Sequence, residues 1–134
     1  MGLAGTISMR GSTQYLSVWV FASSPKDPTF KIQSESGFGC HLMGTKIGFH
    51  ADLADTVSFG KGWHRLTNWE QRNTVKKELY ALGGGVGSTG FYVAPQAGYY
   101  ACASQVRLDV DSKSSSYFRL ILSLNGNTDI NQGL

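Results

Sequence analysis

The sequence has little charge, little proline and no long apolar run. Charged residues make up 16% of the 134 positions, and there are three prolines against 17 glycines. No apolar stretch approaches the roughly 18 residues of a membrane-spanning helix, so we predict no membrane span. Hydrophobic residues still make up 41% of the chain, which is typical of a folded chain and excludes extensive disorder. The length suits a single domain with one core.

The basic residues do not form a nucleic-acid-binding pattern. The net charge is +3, and the densest basic run is the pair Lys76-Lys77. A stripe of lysines and arginines that could follow a phosphate backbone is missing. We therefore predict no nucleic-acid partner.

Catalytic and metal-binding motifs are also missing. The three histidines, His41, His50 and His64, form no zinc-binding pattern, and two cysteines alone supply too few ligands for zinc. No serine stands in a nucleophile-elbow motif. Asp109 and Asp111 precede a serine-rich turn; we interpret them as solvated acids, with a loop calcium site as the alternative. We therefore predict that the chain is not an enzyme and binds no metal or cofactor.

Strand signals dominate what is present. Short alternating or aromatic-rich runs recur along the chain, separated by glycine- or proline-containing turns, and the strongest is Tyr15 to Phe21. About ten short strands and no helix are predicted in this way. That pattern is typical of an all-β sandwich or jelly roll.

One stretch carries a family resemblance. Residues 90–100 resemble the C1q-domain signature, with its matching positions at Gly90, Tyr92, Pro95, Gly98 and Tyr100, although the family usually has Phe where Tyr92 stands. The resemblance implies a two-sheet antiparallel jelly-roll sandwich of the C1q/TNF-like superfamily. Pro95 and Gly98 would turn the chain between two strands, and both tyrosines would enter one core.

The matching segments occur in exchanged order. Residues 48–53, which include Phe49, are similar to the family's first strand, whereas residues 4–9, 16–20 and 36–42 are similar to its last third. The expectation is one circularly permuted domain over 1–134, with 1–43 as the family's C-terminal part, 44–46 as the linker and 47–134 as its N-terminal part. Strands 38–43 and 47–53 would then be neighbours, and the two chain ends would lie close together. The alternative is the tail of one domain joined to the head of the next in a tandem array.

The resemblance also implies a disulfide. In the family's layout Cys40 and Cys102 fall on neighbouring strands, and each follows an aromatic core position by two residues. A bridge between them suits a secreted, extracellular protein. The alternative is a pair of buried free thiols.

The strand Tyr15–Phe21 has apolar residues on both faces. Leu16, Val18 and Val20 share one face, and Tyr15, Trp19 and Phe21 share the other. Because relatives trimerise through one sheet, we predict a homotrimer whose interface consists of the second face and the residues expected beside it; these residues are Tyr15, Trp19, Phe21, Tyr99, Ala101 and Ala103. The alternative is that a loop of the same chain covers these aromatic side chains.

The resulting hypothesis is a non-enzymatic extracellular recognition or ligand module that assembles as a homotrimer. Its partners would be further copies of itself and a cell-surface receptor or extracellular protein. Two alternatives stay open at this point. One is a structural trimerisation module or engineered display scaffold, and the other is a carbohydrate-binding jelly roll.

Overall fold

All regular elements in the part of the chain that the structure describes are β-strands. The computed structural model describes residues 2–11, 14–23, 30–45, 47–71, 90–110 and 117–125. Twelve strands lie within them: β1 (Gly2–Met9), β2 (Tyr15–Ser23), β3 (Phe30–Ile32), β4 (Gly37–Leu42), β5 (Gly48–Leu53), β6 (Val57–Phe59), β7 (Gly62–Arg65), β8 (Trp69–Gln71), β9 (Tyr92–Val93), β10 (Gly98–Gln105), β11 (Leu108–Val110) and β12 (Tyr117–Leu124). The predicted all-β class is confirmed. In these ranges no helix has the length and apolar character needed to cross a membrane.

The largest sheet has five antiparallel strands in the order β1-β10-β4-β5-β8. Its central strand is β4, and the neighbouring β10 is far from β4 in the sequence. The predicted adjacency of strands 38–43 and 47–53 is confirmed, because β4 and β5 pair along their length. The expected closeness of Met1 and Leu134 concerns residues outside the described ranges.

A second antiparallel sheet packs on the five-stranded one. It has the order β12-β2-β7, and β9 pairs with the start of β2. The alternation in β2 places Leu16, Val18 and Val20 in the core, as predicted. They share that core with Phe38 of β4 and Tyr100 of β10. The inner faces of the two sheets therefore meet, and their outer faces point in opposite directions.

The short strands β3, β6 and β11 form a third sheet, whereas the sequence predicted only two. Pro25 and Pro28 lie between β2 and β3 in the sequence. Proline lacks the N–H that a sheet ladder needs, so one continuous strand across these positions is disfavoured. The third sheet packs against the core through Ile32.

The predicted linker at 44–46 lies between the paired strands β4 and β5. Gly44 has φ of 77°, a left-handed conformation that glycine adopts without steric cost. The turn is closed by the Leu42 N–H, which donates to the Ile47 carbonyl, and by the Thr45 hydroxyl, which donates to the Leu42 carbonyl. At the start of β5, a Cβ on Gly48 would lie 2.4 Å from the Cys40 carbonyl oxygen, so only glycine allows this close approach.

Candidate functional site: the exposed face of the five-stranded sheet

The disulfide predicted between Cys40 and Cys102 is present. The two residues lie directly opposite each other on β4 and β10, with their α-carbons 4.1 Å apart. Both are almost completely buried and face the same core as Phe38 and Tyr100. The bridge therefore joins the central strand β4 to its neighbour β10 and closes a loop with a sequence separation of 62.

The aromatic residues of the signature meet beneath this sheet. The ring of Tyr92 lies 4.3 Å from that of Phe49 and 6.1 Å from that of Tyr100, measured between centroids. All three side chains are essentially inaccessible to solvent. Between the tyrosines, Pro95 lies in the bend that leads from β9 to β10, and Gly98 is the first residue of β10. Gly90 precedes β9 with φ of 82°, and a Cβ there would lie 2.5 Å from the Leu66 carbonyl oxygen.

The two core tyrosines differ in hydrogen bonding. The Tyr100 hydroxyl donates to the Gln96 carbonyl at 2.6 Å, whereas the Tyr92 hydroxyl is buried without a partner among the described residues. Burial raises the pKa of Tyr92 well above its ordinary value, and the neighbouring Tyr100 raises it further. Burial also raises the pKa of Tyr100, and its bond to Gln96 opposes the increase. Because the unfolded chain loses these protons first, the fold should become less stable as the pH rises above about 10.

Replacing each of these tyrosines with phenylalanine should have opposite effects. Tyr92→Phe removes a buried hydroxyl that lacks a partner, so we expect stability to rise by about 1 kcal/mol. Tyr100→Phe removes a hydrogen bond and leaves the Gln96 carbonyl without its donor, so we expect a loss of about 1 kcal/mol. Urea unfolding of both variants beside the parent chain measures the difference. Equal shifts of the same sign would contradict the assigned hydrogen bonding.

The outer face of the five-stranded sheet has unusually small side chains at its centre. Register places Ala4, Ala103 and Gly39 side by side in one row across β1, β10 and β4. The next row contains Thr6, Ala101 and His41 on the same three strands. The side chains on the solvent-facing side of an antiparallel sheet are normally polar or charged. Here neither row contains a carboxylate, lysine or arginine in these three strands.

A shallow cavity of ≈ 1320 Å³ lies over this face, and the alanines of both rows contribute to its lining. Tyr99 of β10 and Met43 line a separate depression that shares Thr6 with this cavity, and they are 64% and 53% exposed. Charged groups lie at the other end, where Glu35, Asp52 and Arg107 border the cavity. The centre of this face therefore has small side chains and no carboxylate, lysine or arginine. Exposed apolar side chains lie on one side of it and charged side chains on the other.

The histidines do not converge on one point. His41 and His50 lie on the outer face of β4 and β5, where His50 Nε2 is 3.4 Å from Asp52 Oδ1. His64 is on β7 in the other sheet, and its Nε2 lies 2.9 Å from the Gly60 carbonyl oxygen. Across the described ranges no group of three or more histidine, cysteine, aspartate or glutamate residues could hold a metal ion.

The two possible calcium-binding acids are Asp109 and Asp111. Asp109 on β11 accepts a hydrogen bond from the Gln33 side-chain amide at 3.3 Å. Asp111 lies outside the described residues. The calcium alternative therefore stays a sequence-based hypothesis.

The predicted trimer interface does not form a single surface. Tyr99, Ala101 and Ala103 lie on β10 of the five-stranded sheet, whereas Trp19 and Phe21 lie on β2 of the opposite sheet. The expectation that these two groups stand side by side is wrong. The alternation within each strand was assigned correctly, but β2 pairs with β12, β7 and β9 and not with β10. The two groups consequently point away from each other across the core.

Within a single chain, other side chains partly cover the aromatic residues of β2. Trp19 donates a hydrogen bond from Nε1 to the Ser17 hydroxyl at 2.9 Å, and Phe21 packs on Trp63 with ring centroids 5.0 Å apart. Trp63 and Arg65, which share a face of β7, were not among the residues predicted to form the site. Their alternation with His64 in a short strand was the available signal, but it does not reveal the strand beside which they lie.

No known protein family, curated protein or solved structure matches this chain. The assignment of a function therefore depends on the chemistry of its own residues.

Proposed function

We propose that this chain is a non-enzymatic, extracellular recognition module with a permuted C1q/TNF-like jelly-roll topology, and that it assembles as a homotrimer. The five-stranded sheet would supply the contact between the three copies. Three features support the proposal: the disulfide between β4 and β10, the aromatic core built from the signature residues, and the small uncharged outer face of the same sheet.

The outer face is the observation that carries the proposal. Side chains no larger than alanine at Ala4, Ala103 and Gly39 allow the backbone of another copy to approach closely. Tyr99 is 64% exposed in the single chain, and burying its ring would stabilise the contact between copies by about 2–3 kcal/mol. On β1, β10 and β4 these rows hold no carboxylate, lysine or arginine. Taking such a charge out of water without a partner costs several kcal/mol, so their absence favours a contact here.

The permutation rests on chain order and strand pairing. The segments similar to the family's last and first strands, which include β4 and β5, are antiparallel neighbours joined through residues 44–46. In the unpermuted order these strands would hold the two chain ends. A short turn between them lets one chain contain every strand of the sheet.

The disulfide favours a secreted location, because such bridges form and persist in oxidising compartments. A recognition role is proposed because members of the C1q/TNF-like superfamily, which the sequence resembles, act as ligands or recognition heads. A purely structural trimerisation module would use the same sheet face, and binding to a partner protein distinguishes the two functions.

Light scattering of the oxidised chain at micromolar concentration tests the assembly. We expect a mass three times the chain mass of 14.5 kDa, unchanged on several-fold dilution. The same experiment at raised salt should give the same mass, because the centre of the contact is uncharged. A mass of one chain would refute the trimer, and with it the proposed use of this sheet.

A further inference from the structure

The outer face of the four-stranded sheet carries aromatic rings and arginines in alternation across three strands. Phe21 on β2 lies opposite Arg119 on β12 and Trp63 on β7. In the next row Trp19 lies opposite Arg65. All these residues have the strand parity opposite to that of the core-facing Leu16, Val18 and Val20, so they are on the outward face. We call the set the aromatic–arginine face; it consists of Trp19, Phe21, Trp63, Arg65, Phe91 and Arg119.

The side chains of this face hold one another in place. The Arg65 guanidinium carbon lies 4.4 Å from the centroid of the Phe91 ring and 5.8 Å from that of Trp19. The Arg119 guanidinium carbon lies 5.9 Å from the Trp63 ring centroid. Phe21 packs on Trp63 at 5.0 Å. Such cation–π and ring contacts fix the rotamers before any partner arrives, which lowers the entropy lost on binding.

The two arginines keep their hydrogen-bonding capacity. A guanidinium that stacks on a ring still presents its N–H donors at its edge, in the geometry that suits a carboxylate. The ion pair between His50 and Asp52 lies on the opposite sheet. Within the ranges that the structure describes, neither arginine has a carboxylate within salt-bridge distance. Their two positive charges are part of the chain's net charge of +3.

The shape of the face favours a macromolecular partner. Small-molecule sites are concave, and a stacked sugar or base needs a free slot beside a ring. Here the rings contact one another, with Tyr15 4.4 Å from Phe91 and Tyr117 6.0 Å from Phe21. Tyr117 is nevertheless 55% exposed at the edge of the cluster. Trp, Tyr and Arg are the residues that contribute most to binding between proteins.

We propose that the aromatic–arginine face is a docking surface for an acidic protein segment, whose carboxylates pair with Arg65 and Arg119 and whose apolar side chains pack on Trp19 and Trp63. This goes beyond the proposed trimer, because it concerns the opposite sheet. If the trimer forms, its three outward copies of the face would bind a multivalent partner more tightly than one copy does.

A random copolymer of glutamate and tyrosine is a suitable probe, with tryptophan fluorescence as the readout. Trp19 and Trp63 lie in the face, whereas Trp69 is buried in the core. We expect saturable quenching that weakens as salt is raised. The double variant Arg65→Gln/Arg119→Gln should raise the Kd about tenfold or more. The charge-matched control Arg10→Gln/Lys31→Gln, at two residues that do not belong to the face, should change it less than about twofold.

Three results would overturn the proposal. Equal weakening by the two double variants would mean that only net charge attracts the polymer. Absence of binding, with the parent chain folded, would remove the docking surface. Binding of heparin in place of the copolymer, with the same loss in the Arg65/Arg119 variant, would show that the partner is an anionic polysaccharide. Light scattering on the same samples reports the trimer separately, so failure of either proposal can be told from failure of the other.

Discussion

Removing the disulfide should cost about 4 kcal/mol of stability, the value expected from the entropy of a loop of this length. The bridge spans a sequence separation of 62 and joins the central strand of the largest sheet, β4, to its neighbour β10. The variant Cys40→Ala/Cys102→Ala should therefore unfold at a much lower denaturant concentration than the oxidised parent. Equilibrium unfolding in guanidinium chloride, followed by circular dichroism, measures the difference.

The reduced parent chain is the matched control for this experiment. It keeps both sulfur atoms and so avoids the cavity that two alanines would leave in the core. We expect it to lose most of the same stability. An identical unfolding midpoint with and without reductant, or rapid alkylation of two thiols in the native protein, would contradict the bridge.

The second large effect is expected at Ala103. This residue is exposed in the single chain and lies at the centre of the uncharged face, between Ala4 and Gly39. Ala103→Arg should leave the fold intact, because the new side chain points away from the core. In the proposed trimer it would force three guanidinium groups into a dry contact without partners. We expect complete dissociation, measured by light scattering as a fall from three chain masses to one.

Ser58→Arg provides the control for the added charge. Ser58 is exposed on β6 of the three-stranded sheet and does not belong to the five-stranded face. This variant should keep the trimeric mass. If Ala103→Arg were still trimeric, the contact between copies would lie on another surface.

The sequence was informative wherever side-chain alternation decides the outcome. Alternation assigned Leu16, Val18 and Val20 to the core. The disulfide pair was identified from the family's layout and from the spacing of two residues that separates each cysteine from Phe38 or Tyr100 in the sequence. These predictions succeeded because a strand has a period of two residues, which can be seen in a single segment.

Pairing between distant segments was harder to predict. Whether β2 lies beside β10 or β12 depends on contacts between residues about a hundred positions apart, and no local pattern records that choice. The aromatic–arginine face could not be predicted for the same reason. Trp63 and Arg65 are on β7 and Arg119 is on β12, and these two strands are brought together only by their pairing with β2. The third sheet was missed because strands of three residues give almost no periodic signal.

If copies of this chain cover the exposed face of the five-stranded sheet, two tyrosines in the unmodified protein should differ in their accessibility to solvent. In the single chain Tyr99 on that face is 64% exposed and Tyr117 on the opposite sheet is 55% exposed. Hydroxyl-radical labelling read by mass spectrometry compares their ring oxidation in one sample. We predict that at micromolar concentration Tyr99 is protected while Tyr117 reacts freely. Equal oxidation of both rings in the native protein would contradict the proposed assembly.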